Sequence, residues 1–320
     1  MILKHLKKMT VLSAFALSGV IAASSGAMAE YPEKPITMFI GYKAGGGTDT
    51  VGRVIAKILG EELGQQVNVV NKPGAGGGIA VMTVKGADAD GYTLLMNPSG
   101  TITTAPQINK NLTYTANDFD YIGMATAFQI GLVAPAGRPY NDMAGFVAWA
   151  KENPGAKYAT LNPASKMVMD YLAVKEGLDI NYVPVKGGAG MINVVLGDQV
   201  DIGYSGGIHQ RHPDQIKLVG ALSSERHAKA PNVPTFQESG YPLVINMMTT
   251  LVAPKGTPAD VLAKLEAALA AVVVQPDLIS ISEKIGAPIT YKNAADTTAE
   301  MNAQWDAFAE MVKVTGYSAD

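Results

Sequence analysis

The sequence predicts an α/β fold in two lobes with a cleft between them, and three features carry that expectation. Short apolar runs alternate with stretches of helical periodicity along most of the chain, the pattern of sheets layered with helices. Leu132-Val-Ala-Pro-Ala-Gly-Arg-Pro139 and Leu251-Val-Ala-Pro-Lys-Gly-Thr-Pro258 agree at six of eight positions, 119 residues apart, as paired strands leaving and re-entering one lobe would. Two glycine turns, Tyr42-Lys43-Ala44-Gly45-Gly46 and Val185-Lys186-Gly187-Gly188-Ala189, each follow an expected strand and open an expected helix, one in each lobe. On this division residues 30–131 and 252–320 form the first lobe and 132–251 the second, joined by a two-strand hinge at the two echoed segments.

Taken in order, Ile36 to Ile40 forms a strand that ends at Gly41. Val51, Val54, Ile55, Ile58 and Leu59 recur at helical spacing after the glycines at 45 to 47. Strands follow at Val67 to Val70 and Tyr92 to Met96, with a helix from about Ile79 to Lys85 between them. The second set comprises a helix over 141–152, a strand near Tyr158, a helix from Pro163 to Glu176 and a strand from Ile180 to Val183. It continues with a helix over 189–196 and strands at Val200 to Tyr204 and Lys217 to Ala221. Asn162 before Pro163 is a cap followed by a first-turn proline, and Gly177 is a C-terminal stop. Thr257-Pro258 with Asp260 opens a helix to about Val274, and Thr298 to Val312 forms the closing one.

Composition removes several classes. Of 320 residues 48% are apolar and 17% charged, with a net charge of −3, which is not the signature of disorder. A pI near 5.8 and the absence of a basic block after the N-terminus exclude a nucleic-acid footprint. Zero cysteines exclude disulfide frameworks, zinc ribbons, iron–sulfur clusters and thiol nucleophiles. The basic start of Lys4, Lys7 and Lys8, the apolar stretch Met9 to Ala23 and the small-x-small site Ala27-Met28-Ala29 predict an export signal over 1–29. Its removal takes three of the 25 basic residues, leaving 22 against 28 acidic ones, in a chain free in the periplasm with no cysteine to carry a lipid anchor.

A strand, a glycine turn and a helix N-terminus together make an anion seat, because free backbone N–H groups point outward and the helix dipole adds partial positive charge. The nucleotide versions of that seat do not fit. No Gly-x-x-x-x-Gly-Lys-Ser/Thr occurs, and in Gly74-Ala-Gly-Gly-Gly-Ile79 the last fingerprint glycine is Ile79. Gly203-Tyr-Ser-Gly-Gly207 satisfies Gly-x-Ser-x-Gly, with His209, His212, Asp214 and His227 downstream. A hydrolase elbow needs a long helix after its serine, however, and Pro213 arrives eight residues after Ser205. His209 and His212 fit a solvated loop better than a metal site, and Met167, Met169, Met247 and Met248 fit core or hinge packing. No catalytic residue, metal or cofactor is expected.

Further segments carry a family resemblance: Tyr31-Pro-Glu-Lys-Pro-Ile36, Ala44-Gly-Gly-Gly-Thr-Asp49, Leu63-Gly-Gln and Val70-Asn-Lys-Pro-Gly-Ala-Gly-Gly77. Asp90-Gly-Tyr-Thr-Leu-Leu95, Val185-Lys-Gly-Gly-Ala189, Asn232-Val-Pro-Thr235 and Leu251 to Pro258 complete them. In order and combination they resemble the Bug proteins, periplasmic solute receptors of tripartite tricarboxylate transporters. The resemblance implies a type II-like, two-lobed periplasmic binding protein whose ligand cleft lies between the lobes. It implies a monomer that captures a small organic carboxylate for two membrane subunits, without catalysis. Carried over by position, the first-lobe seat is Gly46, Gly47, Thr48 and Asp49 with Ser99 and Gly100. The second-lobe seat is Ala164 and Ser165, then Lys186, Gly187, Gly188 and Ala189, with a last contact from Tyr204, Ser205 and Gly206.

Three departures from the family pattern add positive or remove negative charge. Leu161-Asn-Pro-Ala-Ser-Lys166 replaces a Gly/Ser/Thr-rich run, Ser205 stands where many relatives carry Asp, and Lys43 where many carry Pro. With Lys166 in the cleft, a di- or aromatic carboxylate is favoured over an amino acid. The alternatives are an exported serine hydrolase using Ser205, or a receptor for a neutral or cationic solute.

Overall fold

The computed structural model describes residues 31–185 and 187–317, so the expected export signal, Lys186 and residues 318–320 lie outside the described residues. Two mixed sheets, each layered with helices, build the molecule. The first begins with β1 (Ile36–Ile40), whose alternate side chains Ile36, Met38 and Ile40 are buried and which pairs in parallel with β2 (Val67–Asn71) and β3 (Thr93–Pro98). Helix α1 (Gly47–Leu63) connects β1 to β2, and Gly52 lets it lie close on the sheet: a Cβ there would stand 2.4 Å from the side chains of Ile40 and Met96. Helix α2 (Gly78–Lys85) leads to β3, and the single turn α3 (Gly100–Thr103) follows it. The chain then forms the ten-residue β4 (Phe119–Phe128) and passes through Gln129 and Ile130 into the second sheet.

That sheet starts with β5 (Gly131–Pro135). Helix α4 (Met143–Glu152), β6 (Ala156–Thr160), α5 (Pro163–Glu176), β7 (Ile180–Pro184), α6 (Gly187–Leu196), β8 (Ile202–Ser205) and β9 (Ile216–Ala221) follow, in the spatial order β7-β6-β8-β5-β9. The chain returns along residues 222–246 to β10 (Met247–Pro254), which inserts antiparallel between β3 and β4. Helices α7 (Ala259–Val272) and α8 (Pro276–Ile285) and strand β11 (Ile289–Lys292), on the β4 edge, precede the closing α9 (Ala294–Thr315). Among the described residues no single helix is long and apolar enough to cross a membrane.

The crossings between sheets lie side by side. Leu222 N–H donates to Ile130 O at 2.9 Å and Ile245 N–H to Leu222 O at 2.7 Å, so the two connections share one short ladder. The sequence echo placed a crossing at Leu251. That residue instead sits inside β10, opposite Met96 and Gly123, because Met247–Pro254 forms one continuous strand of the first sheet. Helix α9 serves both halves: Met301 packs in a first-sheet core cluster, and Phe308 and Met311 pack in the cluster built around the second sheet.

Candidate functional site

A cleft of about 560 Å³ opens between the two sheets. Its walls come from strand ends and the turns after them, where α/β sheets place their ligands. From the first half, Tyr42 follows β1, Ala75 and Gly76 follow β2, Pro98 ends β3, and Gly100 and Thr101 follow it. From the second, Asn162, Pro163 and Ala164 open α5 and Tyr204 lies in β8. Ile245 from the second crossing, Met247 at the start of β10, and Phe308 and Tyr317 near the chain's end complete the wall.

The α5 N-terminus is built by its own sequence. Asn162 Oδ1 accepts from Ser165 N–H at 2.9 Å, and Ser165 Oγ accepts from the N–H groups of Leu161 and Asn162 at 2.9 and 3.0 Å. Thr160 Oγ1 lies 2.7 Å from the same Oγ, and Tyr158 OH donates to Ser165 O. Ser165 is thereby buried and spent on the turn. Pro163 has no N–H, and Ala164 N–H has no partner among the described residues, so it is the donor that this helix end offers the cleft. Tyr204 is 7% exposed, and its hydroxyl takes no partner among the described residues. Burial pushes its phenol up, so the group stays a proton donor.

Gly100, Ala164 and Tyr204 are the expected site residues that line this cleft. Ser99 lies behind it: its Oγ donates to Asn246 O at 3.0 Å and accepts from Met248 N–H at 3.1 Å, tying β3 to the second crossing. The Gly46-Gly47-Thr48-Asp49 turn stands apart from the described wall, closed by its own carboxylate. Asp49 accepts from Gly45 N–H at 2.8 Å, Arg53 Nε at 3.0 Å and Asn71 Nδ2 at 2.8 Å. Burial raises the pKa of that carboxyl, but the bonds from Arg53, Gly45 and Asn71 outweigh it and hold the group below the usual range.

Gly187, Gly188 and Ala189 begin α6, and Gly188 and Gly206 are not part of the described lining. Lys166 Nζ does not face the cleft. It holds Asp170 at 2.7 and 2.8 Å and stands 4.2 Å from the centre of the Tyr182 ring, and Tyr182 OH donates to the same carboxylate.

Ser205 Oγ lies 2.8 Å from His209 Nδ1, and the His209 ring stacks on His227 at 6.1 Å. Both histidines are buried, unlike the solvated loop expected for His209. His227 Nε2 pairs with Ile130 O at 3.1 Å, at the first crossing. Burial pushes His209 down to about 3 and His227 to about 4, so both rings are neutral near pH 7. Among the described residues no carboxylate bonds either ring, so the orienting member of a hydrolase triad is missing beside Ser205.

Sequence reasoning missed Tyr42, Thr101, Met247, Phe308 and the Ala75-Gly76 turn as cleft residues. The turn is visible in the sequence both as a failed nucleotide fingerprint and as part of the family segment Val70 to Gly77, but neither reading places it in the site. Tyr42 OH donates to Gly76 O at 3.0 Å and so joins the first two turns into one wall.

The model of the tripartite tricarboxylate transporter family receptor matches residues 51–316. The chain belongs to that receptor family. A Cupriavidus necator relative described as a protein in the gbd 5′ region is 33% identical over 276 residues, 83% of each chain. A TctC solute-binding protein from Polaromonas superposes with a TM-score of 0.79 at 26% identity, covering 88% of this receptor and 99% of that chain. MatC from Rhodopseudomonas palustris, solved with bound malate, gives 0.71 at 26% identity, with 88% and 100% coverage. These proteins share the two-lobed binding fold, and the receptor is a solute-binding protein of that type.

Proposed function

We propose that this receptor, exported to the periplasm and freed of residues 1–29, captures a small organic carboxylate and hands it to two membrane subunits without chemical change. One observation carries the carboxylate: Ala164 and Tyr204 both line the cleft, and among the described residues neither the Ala164 N–H at the positive end of α5 nor the Tyr204 hydroxyl has a partner. Asn162 and Thr101 add polar groups, while no acidic side chain is part of the described lining. The malate held by MatC supports the same ligand class. The lobes close as a monomer about the paired crossings, and closure carries the Gly46–Asp49 and Gly187–Ala189 turns toward the ligand.

Ala164→Asp separates this function from fold stability. An acidic side chain in the first turn of a helix is neutral or favourable by about 0.3–1 kcal/mol, while its charge meets the ligand carboxylate directly. Thermal midpoint unchanged or raised, with carboxylate affinity by calorimetry reduced at least about tenfold, is the expected pair of results. Full affinity in the variant would remove α5 from the site, and labelling of Ser205 by a fluorophosphonate would restore the hydrolase alternative.

A further inference from the structure

Resting on the carboxylate reading above, we infer that the ligand carries one anionic end and a bulky apolar body, an aryl monocarboxylate by class, and that a second carboxylate is rejected. Among the described residues no Asp, Glu, Lys, Arg or His lines the cleft. Near the expected seats Lys166 is paired with Asp170 and Arg53 with Asp49, while Lys43, which makes no ion pair among the described residues, is not part of the described wall. The donors at the start of α5 and on Tyr204 serve one carboxylate, and no cationic side chain of the described wall awaits another.

The remainder of the wall is built for hydrocarbon. Ile108 and Leu112 come from the loop after α3, Ile245 and Met247 from the junction of the second crossing with β10, and Phe308 from α9. Single apolar side chains at a surface are ordinary, but five converging on one cleft from three separate segments form a binding surface. Size agrees with chemistry. The cleft holds about 560 Å³, whereas a cavity of roughly 150 Å³ accommodates benzene. A two-ring body therefore fits with space to spare for closure, and a four-carbon diacid leaves most of the apolar wall unfilled. A second carboxylate pressed on Phe308 or Met247 would lose its water and gain no partner.

Calorimetry on the mature chain with 2-naphthoate, 2,6-naphthalenedicarboxylate, malate and 2-naphthamide tests the inference. The expected order places 2-naphthoate at least about tenfold tighter than both the dicarboxylate and malate. Phe308→Lys should favour the dicarboxylate, and Thr104→Lys, on the same wall but only half-buried, repeats the test if the first variant does not fold. Malate or the dicarboxylate binding as tightly as 2-naphthoate, or 2-naphthoate failing to bind, overturns the inference. A failure of the carboxylate reading itself has a different signature: 2-naphthamide would bind as well as 2-naphthoate.

Discussion

His209 and His227 are 5% and 1% exposed, and desolvation holds both neutral at pH values where free imidazoles charge. Folded values of about 3 and about 4 lie below the ordinary imidazole value of 6.5, so the unfolded chain takes up protons first as pH falls. Stability from this pair is therefore complete above about pH 6.5 and is lost toward pH 4, at up to about 1.4 kcal/mol per pH unit for each histidine. Asp49, Glu176 and Glu300 have lowered values, and their contributions fade only as pH falls below the ordinary carboxylate range. Urea unfolding between pH 6.5 and 4.5 should thus show a loss of roughly 2 to 4 kcal/mol that His227→Gln reduces by about half. An identical pH slope in the variant would mean that the ring is already protonated or solvated in the folded state. The pair was illegible in the sequence because its third partner, Ile130 O, lies 97 residues away at the first crossing.

At the scale of elements, α5 shows what local chemistry makes readable. Asn162-Pro163 and Gly177 marked both ends of Pro163–Glu176 in the sequence, since caps and stops act on adjacent residues. β4 was not read: it lies between β10 and β11, and its FDYIGMATAF run is buried on both faces, so it shows no alternation. β11 was missed because its four residues are too few to show a period. The same limit applies to the site. Turns that start helices were legible, whereas Phe308 and Met247 reach the cleft only through the tertiary course of α9 and the second crossing. The interior of the α5 turn yields a further prediction. Ser165→Ala strands the N–H groups of Leu161 and Asn162 and should cost about 1–3 kcal/mol, compared with about 1 kcal/mol for removing the cap in Asn162→Ala. Chemical denaturation of the two variants decides it, and equal small losses would show that water replaces the Ser165 hydroxyl.

The whole molecule is two sheets joined by adjacent crossings and spanned by one long helix. Ile130, Leu222 and Ile245 form the ladder between the crossings, so a rotation that leaves both sheets intact concentrates its backbone change at Gln129-Ile130 and near Val244 to Asn246. α9 limits the direction of that rotation, because Met301 is fixed in the first half while Phe308 and Met311 pack with the second. Phe308 also lines the cleft, so a ligand touching it draws on the helix that both halves share. A ligand that contacts both walls favours the closed arrangement by its differential affinity. Small-angle scattering on the mature chain, with a radius near 19 Å expected for a compact chain of this length, should show a decrease of a few per cent at saturation with the tightest-binding carboxylate. The same carboxylate should leave Ala164→Asp at its open radius, because the variant lacks the second-half contact. A radius unchanged in both proteins, with binding confirmed by calorimetry, would place the ligand on one half alone and remove closure from the mechanism.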